Sequence, residues 1–223
     1  MKVLVIVPAY NEAGVIAGVV AGIRKVKGIN LVLVVDDGSS DRTGELAEKA
    51  GARVLRHTLN RGLGGAIGTG LAYAKNYKFD VAVTIDADGQ HDPRDIRRVI
   101  GPIVENKADV VIGTRTKYAH EVPLDRRVMI KVSNWLTYLL FGFRTNDSLS
   151  GFRAFSRKAL DNIHIKTQRM EVSNELFSQI KRNRLKYSEV PISVSYTEYS
   201  RSKGQTNMNA LNVLTKLLLR LAR

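Results

Sequence analysis

Short apolar runs alternate with longer helical patterns through the first half of the chain. The apolar runs have the composition of buried strands and lie at residues 3–7, 31–35, 53–56, 81–85 and 109–112. Helical periodicity lies between them, near residues 12–26, 41–50, 64–78 and 93–106. This alternation predicts βαβ units and an α/β fold, with a mainly parallel sheet covered by helices on both faces.

The second half predicts elements with a more amphipathic character. Residues 125–143 have the pattern of a helix with a long apolar surface. A strand near 151–156, a helix at 171–182 and a strand pair at 187–197 follow. In residues 207–223, leucine-rich and basic positions recur at helical spacing, which is typical of an amphipathic helix. We expect a single domain over residues 1–223.

The positive charge of the chain is concentrated in its second half. The formal net charge is +14; residues 1–112 contain 15 Lys and Arg against 13 Asp and Glu, and residues 113–223 contain 20 against 8. We therefore expect the second half to face nucleic acid, a membrane surface or a phosphorylated substrate. No uncharged apolar run is long enough to predict a membrane span. The absence of cysteine excludes thiolate chemistry and fits a cytosolic protein.

The predicted strands of the first half end in polar or otherwise unusual residues. The first strand is followed by Pro8, Tyr10 and Glu12, the second by Asp37 and the fifth by Arg115. Because the carboxyl ends of parallel strands meet at one edge of a sheet, we expect these groups to converge there. An aromatic ring, acidic groups and a guanidinium at one edge predict a nucleoside-diphosphate site.

The fourth predicted strand ends in two carboxylates one residue apart, Asp86 and Asp88. Alternate residues of a strand point to the same side, and Gln90 can add a neutral oxygen. Oxygen ligands of this kind suit Mg²⁺ or Mn²⁺, with phosphates in the remaining positions. The alternative is a polar turn before the next helix, for which Asp92 and Pro93 already provide the N-cap and the first helical residue.

Five short motifs occur here in the order and spacing of a known family. They are P-x-Y-N-E, V-D-D-G-S-x-D, N-x-G-x-G-x-A, D-A-D-G-Q-H and G-x-R. On these motifs the chain resembles the family 2 glycosyltransferases with the Rossmann-like GT-A fold, above all the dolichol-phosphate mannose synthases and related polyprenyl-phosphate glycosyltransferases. The resemblance covers essentially the whole chain. It implies a donor-binding half at 1–113 and an acceptor-binding half at 114–223, with membrane-facing helices near 125–143 and 207–223.

The resemblance also implies roles for matching residues. The nucleotide-sugar donor is expected at Pro8, Tyr10, Glu12, Val35, Asp37, Asp86, Ala87 and Asp88. Mg²⁺ or Mn²⁺ is expected at Asp86, Asp88 and Gln90. The catalytic set is Asp88, Arg115 and Asp147, and the acceptor phosphate is expected at Arg115, Arg126, Arg201 and Lys203.

One segment departs from the mannose synthases, which carry R-x-R-G-E-S-K near the C-terminus. Ser202 and Lys203 align with that motif, whereas Thr197 and Tyr199 stand at its arginine positions. The departure weakens the case for GDP-mannose as the donor. GDP-mannose, UDP-glucose and UDP-N-acetylglucosamine all remain candidates.

The function expected from these features is inverting transfer of a sugar from a nucleoside diphosphate to dolichyl or polyprenyl phosphate. The enzyme would be peripheral, at the cytoplasmic face of a membrane. A phosphate monoester is largely anionic near neutral pH, so this acceptor requires cations rather than a general base. The alternative is a sugar hydroxyl acceptor in glycan or cell-envelope synthesis, which requires a carboxylate base such as Asp147 or Glu175.

Two further classes of protein fit the sequence less well. A sugar-1-phosphate nucleotidyltransferase would carry a G-x-G-T-R-like loop after the first strand, where this chain has Pro-Ala-Tyr-Asn-Glu. A nucleic-acid-binding protein would explain the charge but not the acidic strand ends, so we expect no nucleic-acid partner. The apolar faces at 125–143 and 207–223 fit either docking on the domain or contact with lipid headgroups.

Overall fold

A seven-stranded sheet forms the centre of the computed structural model, which describes residues 1–115, 122, 124–168 and 171–195. The strands are β1 (Val3–Ala9), β2 (Leu31–Asp36), β3 (Arg53–Arg56), β4 (Val81–Thr84), β5 (Val110–Thr114), β6 (Arg153–Ser156) and β7 (Tyr187–Pro191). Their order is β3-β2-β1-β4-β6-β5-β7. Only β6 runs antiparallel to its neighbours, and the other pairs are parallel. The predicted mainly parallel α/β sheet is confirmed.

Seven α-helices flank this sheet in the described part of the chain. They are α1 (Ile16–Arg24), α2 (Thr43–Lys49), α3 (Gly62–Asn76), α4 (Ile96–Val104), α5 (Leu124–Phe141), α6 (Arg157–Asn162) and α7 (Val172–Arg182). A 3₁₀ turn, Pro93–Asp95, precedes α4, and the side chain of Asp92 accepts a hydrogen bond from the backbone N–H of Arg94. The predicted N-cap, Asp92, is therefore present. It is a different residue from the carboxylate pair Asp86 and Asp88, so neither of these is needed as a cap.

The sheet is covered on both faces, as its apolar strands predict. Alternation along β1 sends Val3, Val5 and Val7 into one core and Leu4 and Ile6 into the other. Helices α1, α2 and α4 close the first core, and helices α3, α6 and α7 close the second. Strands buried on both sides need the near-continuous apolar runs that this sequence has.

The direction of β6 decides what reaches the carboxyl edge of the sheet. Strands β1, β2, β4 and β5 all end at that edge. Because β6 is antiparallel, it begins there, with Arg153 paired to Thr84 of β4 and to Ile112 of β5. The segment that leads into β6 therefore lies beside the residues that follow β4 and β5.

Of the strand pair predicted at 187–197, the described residues end at Ser195 and contain β7 and one isolated bridge at Val194. After β7 the chain continues alongside the loop that follows β4. Val194 forms an isolated antiparallel bridge with His91, and the backbone N–H of Ser195 donates to the carbonyl of Gln90 at 2.8 Å. Ile192 of this segment packs in the first core beside Gly113 of β5, and Val194 is buried as well.

Several predictions for the second half fall outside the described residues. These are the C-terminal amphipathic helix, Arg201 and Lys203. Helix α5 confirms the helix predicted at 125–143. None of the helices in the described ranges has both the length and the apolar character needed to cross a bilayer.

Candidate active site

A cavity of about 370 Å³ lies at the carboxyl edge of the sheet. Eight residues singled out from the sequence line it: Pro8, Glu12, Asp86, Ala87, Asp88, Gln90, Arg115 and Arg126. They come from the ends of β1, β4 and β5 and from the first turn of α5. The fold thus brings residues that are expected to bind the nucleotide-sugar donor and the metal together with two arginines that are expected to bind the acceptor phosphate.

The two carboxylates after β4 are held by different contacts. The Nε2 atom of His91 lies 3.3 Å from the Oδ2 atom of Asp86, and Oδ1 of Asp88 accepts from the backbone N–H of Gln90 at 3.0 Å. Asp86 also lies against Gly151, where a Cβ atom would overlap its carboxylate. Thr84 fixes this contact, because its Oγ1 donates to the carbonyl of Gly151 at 2.7 Å.

The pKa values of these carboxyl groups shift in opposite directions. Burial alone would raise the pKa of Asp86, but the hydrogen bond from His91 and the positive charges of Arg153 and Arg115 outweigh it and hold that pKa below its ordinary value. Burial, followed by the negative charge of Asp86, raises the pKa of Asp88 to about 6. A cation between the two carboxylates would relieve this repulsion.

The residues present fit a divalent metal that takes part of its coordination from a substrate. No group of three or more His, Asp or Glu side chains arranged to hold a metal occurs in the described ranges. Mg²⁺ and Mn²⁺ commonly use one or two carboxylates and complete their shell with phosphate oxygens and water. Asp86, Asp88 and Gln90 offer such an incomplete set of oxygen ligands at the cavity wall.

Arg115 and Asp147 meet in a buried ion pair. The Nε and Nη2 atoms of Arg115 donate to the two carboxylate oxygens of Asp147 at 2.7 and 2.6 Å. The backbone N–H of Arg115 donates to the same carboxylate at 3.1 Å. Arg115 lines the cavity, whereas Asp147 lies behind it. The carboxylate of Asp147 therefore orients a cavity arginine instead of facing the cavity as a base.

Arg153 is a cavity residue that the sequence analysis did not single out. Its side chain is buried, and its Nη2 donates to Oγ of Ser173 at 2.7 Å and to the carbonyl of Ser148 at 3.3 Å, whereas its Nε has no hydrogen-bond partner. Burial lowers its pKa to about 10, against the attraction of Asp86 and Asp147. The sequence signal was a buried arginine six residues after Asp147, at the start of the strand predicted near 151–156, but the location of Arg153 depends on the antiparallel direction of β6.

An apolar sector also lines the cavity and was not predicted. Its members come from α3, α5, the loop before β6 and the start of α7: Leu63, Ile67, Met129, Ile130, Leu149 and Val172. The cavity lining therefore combines charged residues, most of them at strand ends, with apolar residues, most of them on helices.

Three residues predicted to hold the donor do not line this cavity. Tyr10 is 48% exposed and Val35 is fully buried. Asp37 is buried, and its carboxylate accepts from the backbone N–H groups of Arg61 and Gly62 at 2.9 and 2.6 Å. These bonds satisfy N–H groups at the start of α3. Donor binding by these three residues stays a prediction.

Glu175 lies apart from the carboxylate pair. Its side chain accepts from the backbone N–H groups of Lys166 and Thr167 at 2.9 and 2.8 Å and lines a separate cavity. Burial raises its pKa, but the hydrogen bonds from Thr167 and Lys166 outweigh burial and leave that pKa lowered. The structure does not bring Glu175 into the cavity as a candidate base.

Comparison with known proteins identifies the family of this chain. Residues 4–164 match the model of the family described as glycosyl transferase family 2. The chain belongs to this family. Over 97% of its length it is 37% identical to UDP-N-acetylglucosamine–dolichyl-phosphate N-acetylglucosaminyltransferase of Methanococcus voltae, covering 95% of that relative. Over 95% of its length it is 31% identical to polyprenol monophosphomannose synthase of Mycolicibacterium smegmatis, covering 83% of it.

The fold of the chain also matches a solved structure. The chain superposes on glucosyl-3-phosphoglycerate synthase of Mycobacterium tuberculosis, solved with Mn²⁺, UDP and phosphoglyceric acid, with a TM-score of 0.71 and 21% identity. The match covers 97% of this chain and 78% of the synthase. The protein is a family 2 glycosyltransferase with the GT-A fold.

Proposed function

We propose that this family 2 glycosyltransferase transfers a sugar from a nucleoside-diphosphate sugar to the phosphate of a polyprenyl or dolichyl phosphate, with inversion at the anomeric carbon. One observation carries the proposal: the carboxylates Asp86 and Asp88 and the guanidinium groups of Arg115 and Arg126 line the same cavity. The names of the relatives from Methanococcus voltae and Mycolicibacterium smegmatis support the same acceptor class.

Binding of the nucleotide-sugar donor is inferred from the carboxylates that line the cavity. Asp86, Asp88 and Gln90 would hold Mg²⁺ or Mn²⁺. The metal would neutralise the negative charge that develops on the leaving diphosphate. Pro8 and Glu12 line the same cavity and would contact the nucleotide. We extend the donor site to Tyr10, Val35 and Asp37 on the strength of their motifs.

Binding of the acceptor phosphate is inferred from the arginine and lysine side chains. An oxygen of the acceptor phosphate forms the new bond to the anomeric carbon, the bond from that carbon to the diphosphate breaks, and the nucleoside diphosphate leaves with the electron pair. The attacking oxygen is already anionic near neutral pH, so no proton must be removed. Arg115 and Arg126 would hold it close to a second anionic group, and Arg201 and Lys203 would add to that charge. Polar binding of this kind matches the surplus of cations in residues 113–223.

A hydroxyl acceptor has less support. It would need a carboxylate base in contact with the acceptor. Asp147 is engaged by Arg115, and Glu175 accepts from the backbone of residues 166–167 beside another cavity. The apolar sector of the active-site cavity instead suits the first isoprene units of a lipid acceptor. The acceptor would be presented at a membrane surface, where this enzyme works as a peripheral protein.

The test is a transfer assay with radiolabelled UDP-N-acetylglucosamine, UDP-glucose and GDP-mannose, Mn²⁺ or Mg²⁺, and a short polyprenyl phosphate in detergent. We expect label in the organic phase with one of these donors, and we expect its loss with EDTA and in Asp88→Asn. Asp80→Asn is the matched control, because Asp80 is an exposed carboxylate next to the opposite end of β4. Tight donor binding without a lipid product from any donor would refute the phosphate acceptor.

A further inference from the structure

The chain after β7 continues as a short segment that contacts two elements at the carboxyl edge of the sheet. This β7 extension consists of residues 192–195. The backbone N–H of Ile192 donates to the carbonyl of Thr114, at the end of β5, at 3.0 Å, and the Ile192 side chain is fully buried in the first core. One side of the extension is therefore fixed to the strand that leads to Arg115.

The other side of the extension holds the loop that follows β4. The backbone N–H of Ser195 donates to the carbonyl of Gln90 at 2.8 Å, and Val194 forms an antiparallel bridge with His91. The backbone N–H of Gln90 donates in turn to Oδ1 of Asp88 at 3.0 Å. The main chain of one candidate metal ligand is thus bonded both to a second ligand and to the extension.

One buried carboxylate, Asp95, ties the extension to this loop. Asp95 is 6% exposed and stands at the N-cap position of α4, but its side chain makes no capping bond to that helix. Its Oδ2 atom instead accepts from the backbone N–H of Ser193 at 2.5 Å, and its Oδ1 atom pairs with Arg98 at 2.9 Å. Arg98 also donates to the carbonyl of Pro191, the last residue of β7, at 3.0 Å. Both members of this ion pair are therefore bonded to the chain around the start of the extension.

We propose that Asp95 is a positioning residue for the metal site: it fixes the β7 extension, and the extension fixes the main chain of Gln90 and His91. The inference rests on the metal site of the proposed function and adds a residue that acts on this site without contacting the metal. His91 carries the constraint on to Asp86, because its Nε2 atom lies 3.3 Å from Oδ2 of that carboxylate. Groups behind the ligands orient them, and the loss of one commonly weakens metal binding about 10- to 100-fold.

Coupling between the extension and the metal must act in both directions. If the extension supports the metal ligands, bound Mn²⁺ stabilises the extension. We therefore expect Mn²⁺ to slow hydrogen exchange at the backbone amides of Ser193 and Ser195. The amide of Lys186 is the internal reference: it donates to Asp109 at the opposite end of β7 at 2.8 Å and should exchange at the same rate with and without Mn²⁺.

Three variants separate positioning of the metal site from support of the fold. Asp95→Ala removes the acceptor of the Ser193 N–H and should weaken Mn²⁺ binding about tenfold in calorimetric titration. Asp95→Asn keeps an oxygen acceptor and should restore most of that affinity. Asp109→Ala is the matched control, because Asp109 is also buried and also accepts from a backbone N–H beside β7, that of Lys186. It should lower the midpoint of urea denaturation as Asp95→Ala does, with unchanged Mn²⁺ affinity.

Three outcomes would overturn the inference alone. Equal Mn²⁺ affinity in Asp95→Ala and Asp109→Ala would show that Asp95 only supports the fold. Binding as weak in Asp95→Asn as in Asp95→Ala would mean that its charge matters and its hydrogen bond does not. Exchange at Ser193 and Ser195 that ignores Mn²⁺ would separate the extension from the metal, and this arm uses the wild type, so it does not depend on the folding of a variant. A wild type that binds no Mn²⁺ is a different result, which refutes the metal site of the proposed function and the inference with it.

Discussion

Arg115 and Asp147 are joined by a two-pronged ion pair with nitrogen–oxygen distances of 2.7 and 2.6 Å. Arg115 follows β5 and Asp147 lies in the middle of the loop before β6, so the pair fixes that loop against the sheet. Both side chains are buried, and Arg115 remains part of the cavity wall. A carboxylate that orients an arginine in this way is poorly placed to remove a proton from an acceptor.

Replacing Asp147 with asparagine should destabilise the protein strongly. It removes one partner of a buried ion pair, the carboxylate that accepts from the Nε and Nη2 atoms of Arg115, and such a loss costs about 3 kcal/mol in the free energy of unfolding. Asp161→Asn is the control: Asp161 pairs with Arg157 at the surface, and its loss should cost less than about 1 kcal/mol. Urea denaturation measures both values. If Asp147→Asn keeps its stability and loses only turnover, Asp147 is a general base and the hydroxyl acceptor gains support.

Replacing Gly151 with alanine should disturb the metal site while leaving the fold intact. The added Cβ would overlap the carboxylate of Asp86 and force this ligand to move. We expect Mn²⁺ to bind at least about tenfold more weakly in calorimetric titration, with unchanged circular dichroism. Gly101→Ala in α4 is the matched control, because nothing lies within 4 Å of its added Cβ. Equal Mn²⁺ affinity in the two variants would contradict a metal at Asp86.

The sequence predicted elements better than it predicted their arrangement. Apolar runs and helical periodicity located the five strands of the first half and the helices between them, because burial on both faces demands such runs. The direction of β6 could not be predicted, since the apolar residues of 151–156 suit either direction. That direction depends on which partners its backbone meets, β4 and β5, which lie far away in the chain.

The same limit applies to the candidate site. Asp86, Asp88 and Gln90 were found because their spacing within one loop already determines their proximity. Arg153 was missed because only the antiparallel β6 brings it to this edge, and Leu63 and Ile67 were missed because apolar residues on a helix usually indicate core. For Asp37 the sequence suggested a ligand contact, which stays a prediction. The sequence did not show that its carboxylate also accepts hydrogen bonds from backbone N–H groups at the start of α3.

Replacing Arg153 with methionine should change function more than stability. Burial lowers the pKa of Arg153 to about 10 against the attraction of Asp86 and Asp147. The methionine variant also loses the hydrogen bonds to Ser173 and Ser148, so we expect a cost of about 1 kcal/mol in the free energy of unfolding. Loss of a cation from the cavity wall should raise KM for the anionic substrates about tenfold. Arg157→Met, at a half-buried position outside the cavity, loses the ion pair with Asp161 and should cost less than about 1 kcal/mol while leaving KM unchanged. Large destabilisation with unchanged KM would show that Arg153 only supports the fold.

The raised pKa of Asp88 gives the metal site a pH dependence with a definite sign. In the metal-free protein the carboxyl holds its proton up to about pH 6, compared with an ordinary value of 3.8. For folding without metal, the contribution of this group is therefore favourable below pH 3.8 and is lost as the pH rises through about 6. Metal binding has the opposite dependence, because a protonated carboxyl is not a ligand and the proton competes with the cation.

Mn²⁺ affinity should therefore be constant above about pH 7 and fall about tenfold for each unit below pH 6. The titration belongs to Asp88, because the pKa of Asp86 is held below its ordinary value by His91 and the nearby arginines, which outweigh burial. Calorimetric titration of Mn²⁺ between about pH 5 and 8 measures this dependence. Asp88→Asn should bind weakly at every pH, with the step near pH 6 removed. A wild-type affinity that stays constant down to about pH 4.5 would mean that Asp88 is not a metal ligand, because its protonation would then leave the metal undisturbed.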